Sequence, residues 1–221
     1  LAGNMTGRCR PVDMTKNSIP LRFLAYSQRP RQYFQDIPEY AEPYGDSILD
    51  DISEGRSANR TVIVSIHWGD EFISLPSYDQ IQFGRKMIDT GATLVVGHHP
   101  HVLQGYEKRG DGIISYSLGN FFFDMNWHHD LRRSMILMTE LKPNMVTSFS
   151  TAPVIMTDDL RIVRAPLIDE LQINKVLESS NQWIAACGDD STSGLIHSQY
   201  NTELAQCVCR HRSAAHMHYI R

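Results

Sequence analysis

The side chains best suited to chemistry lie in three short stretches of this sequence. They are His67-Trp68-Gly69-Asp70-Glu71, Gly97-His98-His99-Pro100-His101, and Tyr116-Ser117-Leu118-Gly119-Asn120-Phe121. Neutral imidazole is a good ligand for divalent transition metals, and a carboxylate suits the harder ions. The imidazoles and a carboxylate of these stretches are therefore most simply read as a metal site. Pro100 biases His99 towards extended backbone. Alternate residues of an extended chain face the same way, so His99 and His101 are expected to reach inward together while His98 turns aside. Gly97 permits a sharp exit from the preceding segment. Three surface histidines on a loop are the plain alternative. Three imidazoles in four residues, with a fourth in another stretch, favour a metal or catalytic role. His98 and Asn120 are the candidate catalytic groups, although residue type alone does not separate His98 from His99 as the ligand. Gly119-Asn120 also has the composition of a simple turn.

Each stretch follows an apolar run. Thr61–Ile66, Ala92–Val96 and Gly112–Tyr116 are β-branched or aliphatic, and they read as buried strands of an α/β sheet. Ligands of open α/β sheets bind at the carboxyl ends of the strands. Between the first two runs, Ser74-Leu75-Pro76-Ser77 signals a helix start. Ile81, Phe83, Met87 and Ile88 give an apolar side to a helix over Ser77–Thr90, capped by Gly91. Such a crossover makes the two flanking strands parallel.

The rest of the chain is expected to support this unit. Leu1–Ser18 reads as polar and irregular, and Leu21–Tyr26 as a strand. Gln28–Ser53 reads as a long surface loop with a short helix over Ser47–Ser53. A lid formed by Tyr33, Phe34, Tyr40 and Tyr44 is the less ordinary reading of that loop. Glu107–Gly112 reads as a turn. Arg132–Leu141 and Met145–Met156 read as a hairpin around Lys142-Pro143-Asn144, with Ser134–Met138 largely buried and the methionines as pliable core. Arg161–Pro166 is expected as an edge strand. Asp169–Ala186 is expected as a helix with Leu171, Val176, Leu177, Trp183 and Ile184 apolar, stopped by Gly188. His128 and His129 read as surface histidines. Cys207-x-Cys209 with His211 has the wrong spacing for a common zinc finger. Residues 1–186 are expected to be one domain portion and 187–221 a tail.

The 221 residues carry a net charge of −4, so there is no basic footprint for nucleic acid. Apolar residues make up 42% and charged residues 21%, an ordinary globular balance. No apolar run approaches the length of a transmembrane helix. Four scattered cysteines do not make a disulfide framework.

The three chemical stretches, extended to Val102-Leu103-Gln104-Gly105 in the second, resemble the CapA family of poly-γ-glutamate capsule biosynthesis proteins. That family lies within the calcineurin-like metallophosphoesterase superfamily. The resemblance is clear over Leu21–Asp124 and looser over Ala2 to about Leu171. It implies an α/β fold, a two-sheet sandwich flanked by helices, with a two-metal site at the strand ends. It places His67, His99 and His101 among the ligands and matches Glu71 to an acidic position beside them. The cofactors it implies are divalent manganese, iron or zinc. The substrate would be a phosphoester or polyanion, and the partners components of a polyglutamate synthase complex. A membrane-associated or extracytoplasmic location is implied, with any anchor upstream. The superfamily's early Asp, acidic and Asn-His blocks are not visible before Thr61. The fold is therefore expected to lack its N-terminal part and one metal half-site, and the chain to be at most a weak single-metal binder. Three functions stay open: a metal-dependent phosphoester hydrolase, a non-catalytic assembly component, and an inactive fragment.

Overall fold

The computed structural model describes residues 10–28, 47–188, 198, 200–202 and 204–206. Its larger sheet contains β1 (Val12–Lys16), β2 (Ile19–Ser27), β3 (Thr61–His67), β4 (Ala92–His98), β5 (Leu103–Arg109) and β6 (Gly112–Leu118), in the order β1-β2-β3-β4-β6-β5. Strands β2, β3, β4 and β6 are parallel, and β1 and β5 run antiparallel at the two edges. The three expected β-branched runs are thus the central strands. Their carboxyl ends lie at one edge of the sheet, where His67 of β3 sits opposite His98 of β4.

Two helices make the parallel crossovers, α1 (Ser47–Ser57) and α2 (Tyr78–Thr90). Ser77 and Gln80 form a reciprocal capping box at the start of α2, and the Gly91 N–H closes its end on the Met87 and Ile88 carbonyls. Ile48, Ile52, Ile81 and Met87 are fully buried against Val62, Val64, Ile66 and Ile114 of the sheet. The opposite face packs on a second sheet of β7 (Arg133–Lys142), β8 (Met145–Met156) and β9 (Ile162–Arg164), in that order. Leu94, Ile113 and Val146 fill the space between the sheets. This is the expected α/β architecture of two sheets with helices.

The third helix, α3 (Leu167–Ala186), covers the β5 edge. Gly105 and Tyr106 of β5 donate their N–H groups to Ser180 Oγ and Asn181 Oδ1, each at 2.8 Å. Side chains of α3 thus satisfy donors that a bare edge strand would expose. Added bulk at Gly105 would meet Asn181 Oδ1 at 2.4 Å, so this close approach needs glycine.

Several expectations change. The irregular N-terminal stretch contains β1, whose residues are all exposed and so carry no buried-strand pattern. It pairs with β2 through a tight turn in which Asn17 and Ser18 both have positive φ. Arg22 of β2 anchors β1 by a bidentate ion pair with Asp13, and the guanidinium holds the Asp13 carboxyl below its usual range. Helix α1 extends four residues beyond the expected Ser53, to Ser57. Glu107–Arg109 is strand, not turn: only Gly110 and Asp111 link β5 to β6. Ser134 and Met135 are buried as expected, but Ile136 and Met138 are 41% and 49% exposed. That strand has one solvent face, so its residues alternate. Leu171 is also exposed, because the core-facing residues of α3 are Ile173, Leu177, Ser180, Trp183 and Ile184. The candidate lid residues Tyr33, Phe34, Tyr40 and Tyr44, and the Cys207, Cys209 and His211 group, lie outside the described residues. Among the described residues, no helix is long and apolar enough to cross a membrane.

Candidate metal centre

The strand ends deliver the candidate ligands to one place. Glu71, His99 and His101 offer ligand atoms that all lie within 4.8 Å of one another. Glu71 comes from the loop after β3, and the two histidines from the loop after β4. A backbone bond ties these loops together, with Phe72 N–H donating to the Pro100 carbonyl at 2.7 Å. The Trp68 N–H donates to the His98 carbonyl at 2.9 Å, closing the base of the same junction.

The histidine pair converges by a different geometry from the one expected. His99 has φ 102° and His101 has φ 62°, so the segment is not extended. Left-handed backbone at both residues turns the chain tightly around Pro100. Gly69, Phe72, Gly119 and Phe121 also have positive φ in the three loops at this end of the sheet. Such backbone at non-glycine residues costs about 1–3 kcal/mol each and persists where surrounding structure holds it. Gly97, by contrast, is not in left-handed backbone. A Cβ there would lie 2.0 Å from the Tyr116 carbonyl oxygen and 2.3 Å from Trp68 Nε1. The glycine makes room for the indole of Trp68, which donates to the Tyr116 carbonyl at 2.9 Å and stacks on the Tyr116 ring.

Asn120, after the end of β6, bonds to His101. Its Nδ2 donates to the Leu131 carbonyl at 2.9 Å, so its Oδ1 is the acceptor facing His101 Nδ1 at 2.7 Å. The His101 proton then sits on Nδ1, and Nε2 is left with a lone pair for a ligand. An outer hydrogen bond of this kind commonly orients a metal-bound histidine. Two imidazoles and a carboxylate with such support fit a divalent ion.

The other candidates lie around this group. The His67 ring is 4.4 Å, centroid to centroid, from that of His99, outside the set of three. His98 ends β4, half-buried, and is also outside the set. Burial lowers its pKa, which favours the neutral imidazole. His128 Nδ1 accepts the Asp130 N–H at 3.2 Å, capping a short turn.

Sequence reasoning missed two features of the site. Phe123 and Phe72 flank His101, with ring centroids 5.3 and 6.1 Å away. The run Phe121-Phe122-Phe123 was visible in the sequence, but nothing there placed it beside an imidazole. The second feature is the set of side chains that hold the Glu71 loop. Gln104 Nε2 donates to the Ile73 carbonyl at 2.9 Å, and Trp183 Nε1 to the Pro76 carbonyl at 2.8 Å. Both partners are distant in sequence, and no local pattern signals them.

A two-sheet α/β domain with candidate metal ligands at its strand ends is the class of protein defined by this fold and site. Residues 3–125 match the family model for bacterial capsule synthesis protein PGA_cap, and the chain belongs to that family. It is 38% identical over 112 residues to the capsule biosynthesis protein CapA of Bacillus anthracis, covering 49% of this chain and 27% of that one. It is 42% identical over 103 residues to the PGA biosynthesis protein CapA of Bacillus subtilis (strain 168), covering 47% and 27%. The chain thus spans about a quarter of the length of these curated relatives. The NAD nucleotidase of Haemophilus influenzae is a distant structural likeness, with TM-score 0.38 and 11% identity over 89% of this chain and 42% of that one. The expected kinship with CapA proteins is borne out.

Proposed function

We propose that this chain carries a divalent-metal site that acts on a phosphoester or polyanionic substrate during capsule poly-γ-glutamate synthesis. The convergence of Glu71, His99 and His101 is the observation that carries this reading. The names of the CapA relatives, a capsule and a PGA biosynthesis protein, support the biological setting. When bound, a divalent ion supplies positive charge beside a phosphoryl oxygen and eases deprotonation of water. The chain's own groups do the rest. Glu71 brings negative charge that favours a cation, and His99 and His101 bring neutral donors. Asn120 holds His101 in the tautomer that leaves Nε2 available. His67 lies beside His99, near enough to act as a further ligand or to bond a substrate oxygen. His98 is the remaining candidate to accept a proton. Manganese, iron and zinc all suit this donor set.

The purified chain with saturating Mn²⁺ is expected to release p-nitrophenol from p-nitrophenyl phosphate faster than Mn²⁺ in buffer, and the excess is expected to vanish in His101→Ala. A rate equal to that of buffered Mn²⁺ would overturn the hydrolytic reading.

A second reading has its own support. Phe121, Phe122 and Phe123 are 49%, 61% and 42% exposed, and Leu167, Ile168 and Leu171 on α3 are more than half exposed. Apolar side chains exposed in groups suit contact with another protein. A component that assembles with a polyglutamate synthase complex would keep its association after loss of His99 and His101.

A further inference from the structure

The loop that presents Glu71 is held from a part of the chain far outside the matched family region, which ends at residue 125. Tyr200 is 7% exposed and packs in the core cluster that contains Ile73, Leu75, Trp183 and Ile184, with Leu204 against it. Its hydroxyl donates to Asp70 Oδ2 at 2.7 Å, across 130 residues of sequence. Asp70 is the immediate neighbour of Glu71.

We propose that Tyr200 is a positioning residue of the metal centre, fixing the Gly69–Glu71 turn through Asp70 so that the Glu71 carboxylate meets His99 and His101. The inference rests on the reading of Glu71, His99 and His101 as a metal site. Three observations carry it. First, the turn is conformationally demanding, since Gly69 has φ 78° and Phe72 has φ 67°. Such a segment keeps one geometry only if its surroundings hold it. Second, bonds at Phe72, Ile73 and Pro76 hold the loop beyond Glu71. The Tyr200 bond acts on the near side, so Glu71 is bracketed between Asp70 and Phe72. Third, the Tyr200 ring is locked by core packing, so its hydroxyl approaches Asp70 from a fixed direction. A ligand carried on a loop gains affinity when the loop is preorganised, because less freedom is lost on binding.

The test uses the full chain and Mn²⁺ alone, with affinity read by titration calorimetry. Tyr200→Phe keeps the ring and removes only the donor. It is expected to raise the Mn²⁺ dissociation constant about tenfold, the low end for loss of an outer hydrogen bond at a metal site. Asp70→Ala, which removes the acceptor, is expected to give the same change and serves as the test if Tyr200→Phe does not fold. Val146→Ala removes buried volume from the separate cluster between the two sheets and leaves the Tyr200 packing and its hydrogen bond in place. It is expected to lower the melting temperature while leaving the dissociation constant unchanged. Wild-type affinity in a folded Tyr200→Phe chain would overturn the inference and leave the metal-site reading standing. No Mn²⁺ binding by the wild-type chain would overturn both.

Discussion

Gly97→Ala is expected to unfold this chain at a much lower temperature than the wild type. The new methyl group would lie 2.0 Å from the Tyr116 carbonyl oxygen and 2.3 Å from Trp68 Nε1, and neither neighbour can give way cheaply. The carbonyl is backbone of a central strand. Trp68 is fully buried, and its far edge lies 3.2 Å from where a Cβ at Gly84 would stand on α2. Relief requires β4 to move away from β6 or the indole to leave its slot. Either movement lengthens or breaks the bond from Trp68 Nε1 to the Tyr116 carbonyl. Overpacking costs about 1–3 kcal/mol, and an orphaned buried donor and acceptor add about 1–3 kcal/mol more. A total of about 4 kcal/mol corresponds to a melting temperature lowered by on the order of 10 °C in a chain of this size. Because His98 and His99 follow Gly97 directly, metal affinity is expected to fall with it. A thermal melt within about 1 °C of wild type would show that β4 and Trp68 are not packed as described, since such a shift corresponds to well under 1 kcal/mol.

Loss of the Arg85 guanidinium is expected to have an effect of similar size, through charge rather than shape. Arg85 lies on α2 and is 7% exposed. Its Nε and Nη2 each donate to Glu107 of β5 at 3.0 Å. Nη2 also donates to the Ile184 carbonyl at 3.1 Å, and Nη1 to the Cys187 carbonyl at 2.5 Å. One side chain therefore joins a helix, an edge strand and the carboxyl end of α3, whose last carbonyls have no partner within the helix. The Tyr116 hydroxyl donates to the same Glu107 carboxylate at 2.5 Å, and burial together with that carboxylate pushes the phenol's pKa up. Arg85→Ala leaves Glu107 charged and half-partnered in a poorly solvated place, a change that costs about 3–5 kcal/mol. Replacing both partners with apolar residues, Arg85→Met with Glu107→Leu, is expected to recover much of that loss. Urea unfolding of the single and double variants reads both. A single-variant loss below about 1 kcal/mol would place Arg85 among ordinary surface ion pairs and contradict the network.

The central strands were legible because β3, β4 and β6 are buried on both faces and their sequences are correspondingly uniform. Helix α2 was legible because its capping box and terminal glycine are local signals. The edges were not. All five β1 residues are exposed, and β5 begins buried and ends in charged residues, so neither shows a core pattern. Site chemistry was readable from residue type, whereas its geometry was not. His99 and His101 meet through positive-φ backbone that Pro100 alone did not suggest. Gly97 was visible as a special position, but its cause is an indole 29 residues earlier in the chain. The tautomer of His101 is set by Asn120, 19 residues away, and the Glu71 loop is held by Tyr200, 130 residues from Asp70. Contacts of that range are created by the fold and leave no local trace in the sequence.

Metal content is the most direct test of the proposal that Glu71, His99 and His101 form a binding site. The wild-type chain and a His99→Ala/His101→Ala variant would be exchanged into Mn²⁺, Fe²⁺ or Zn²⁺, desalted and measured by elemental analysis. Close to one equivalent of metal is expected on the wild type and background on the folded variant. A folded wild-type chain at background, or a variant that retains the wild-type amount, would contradict the proposal.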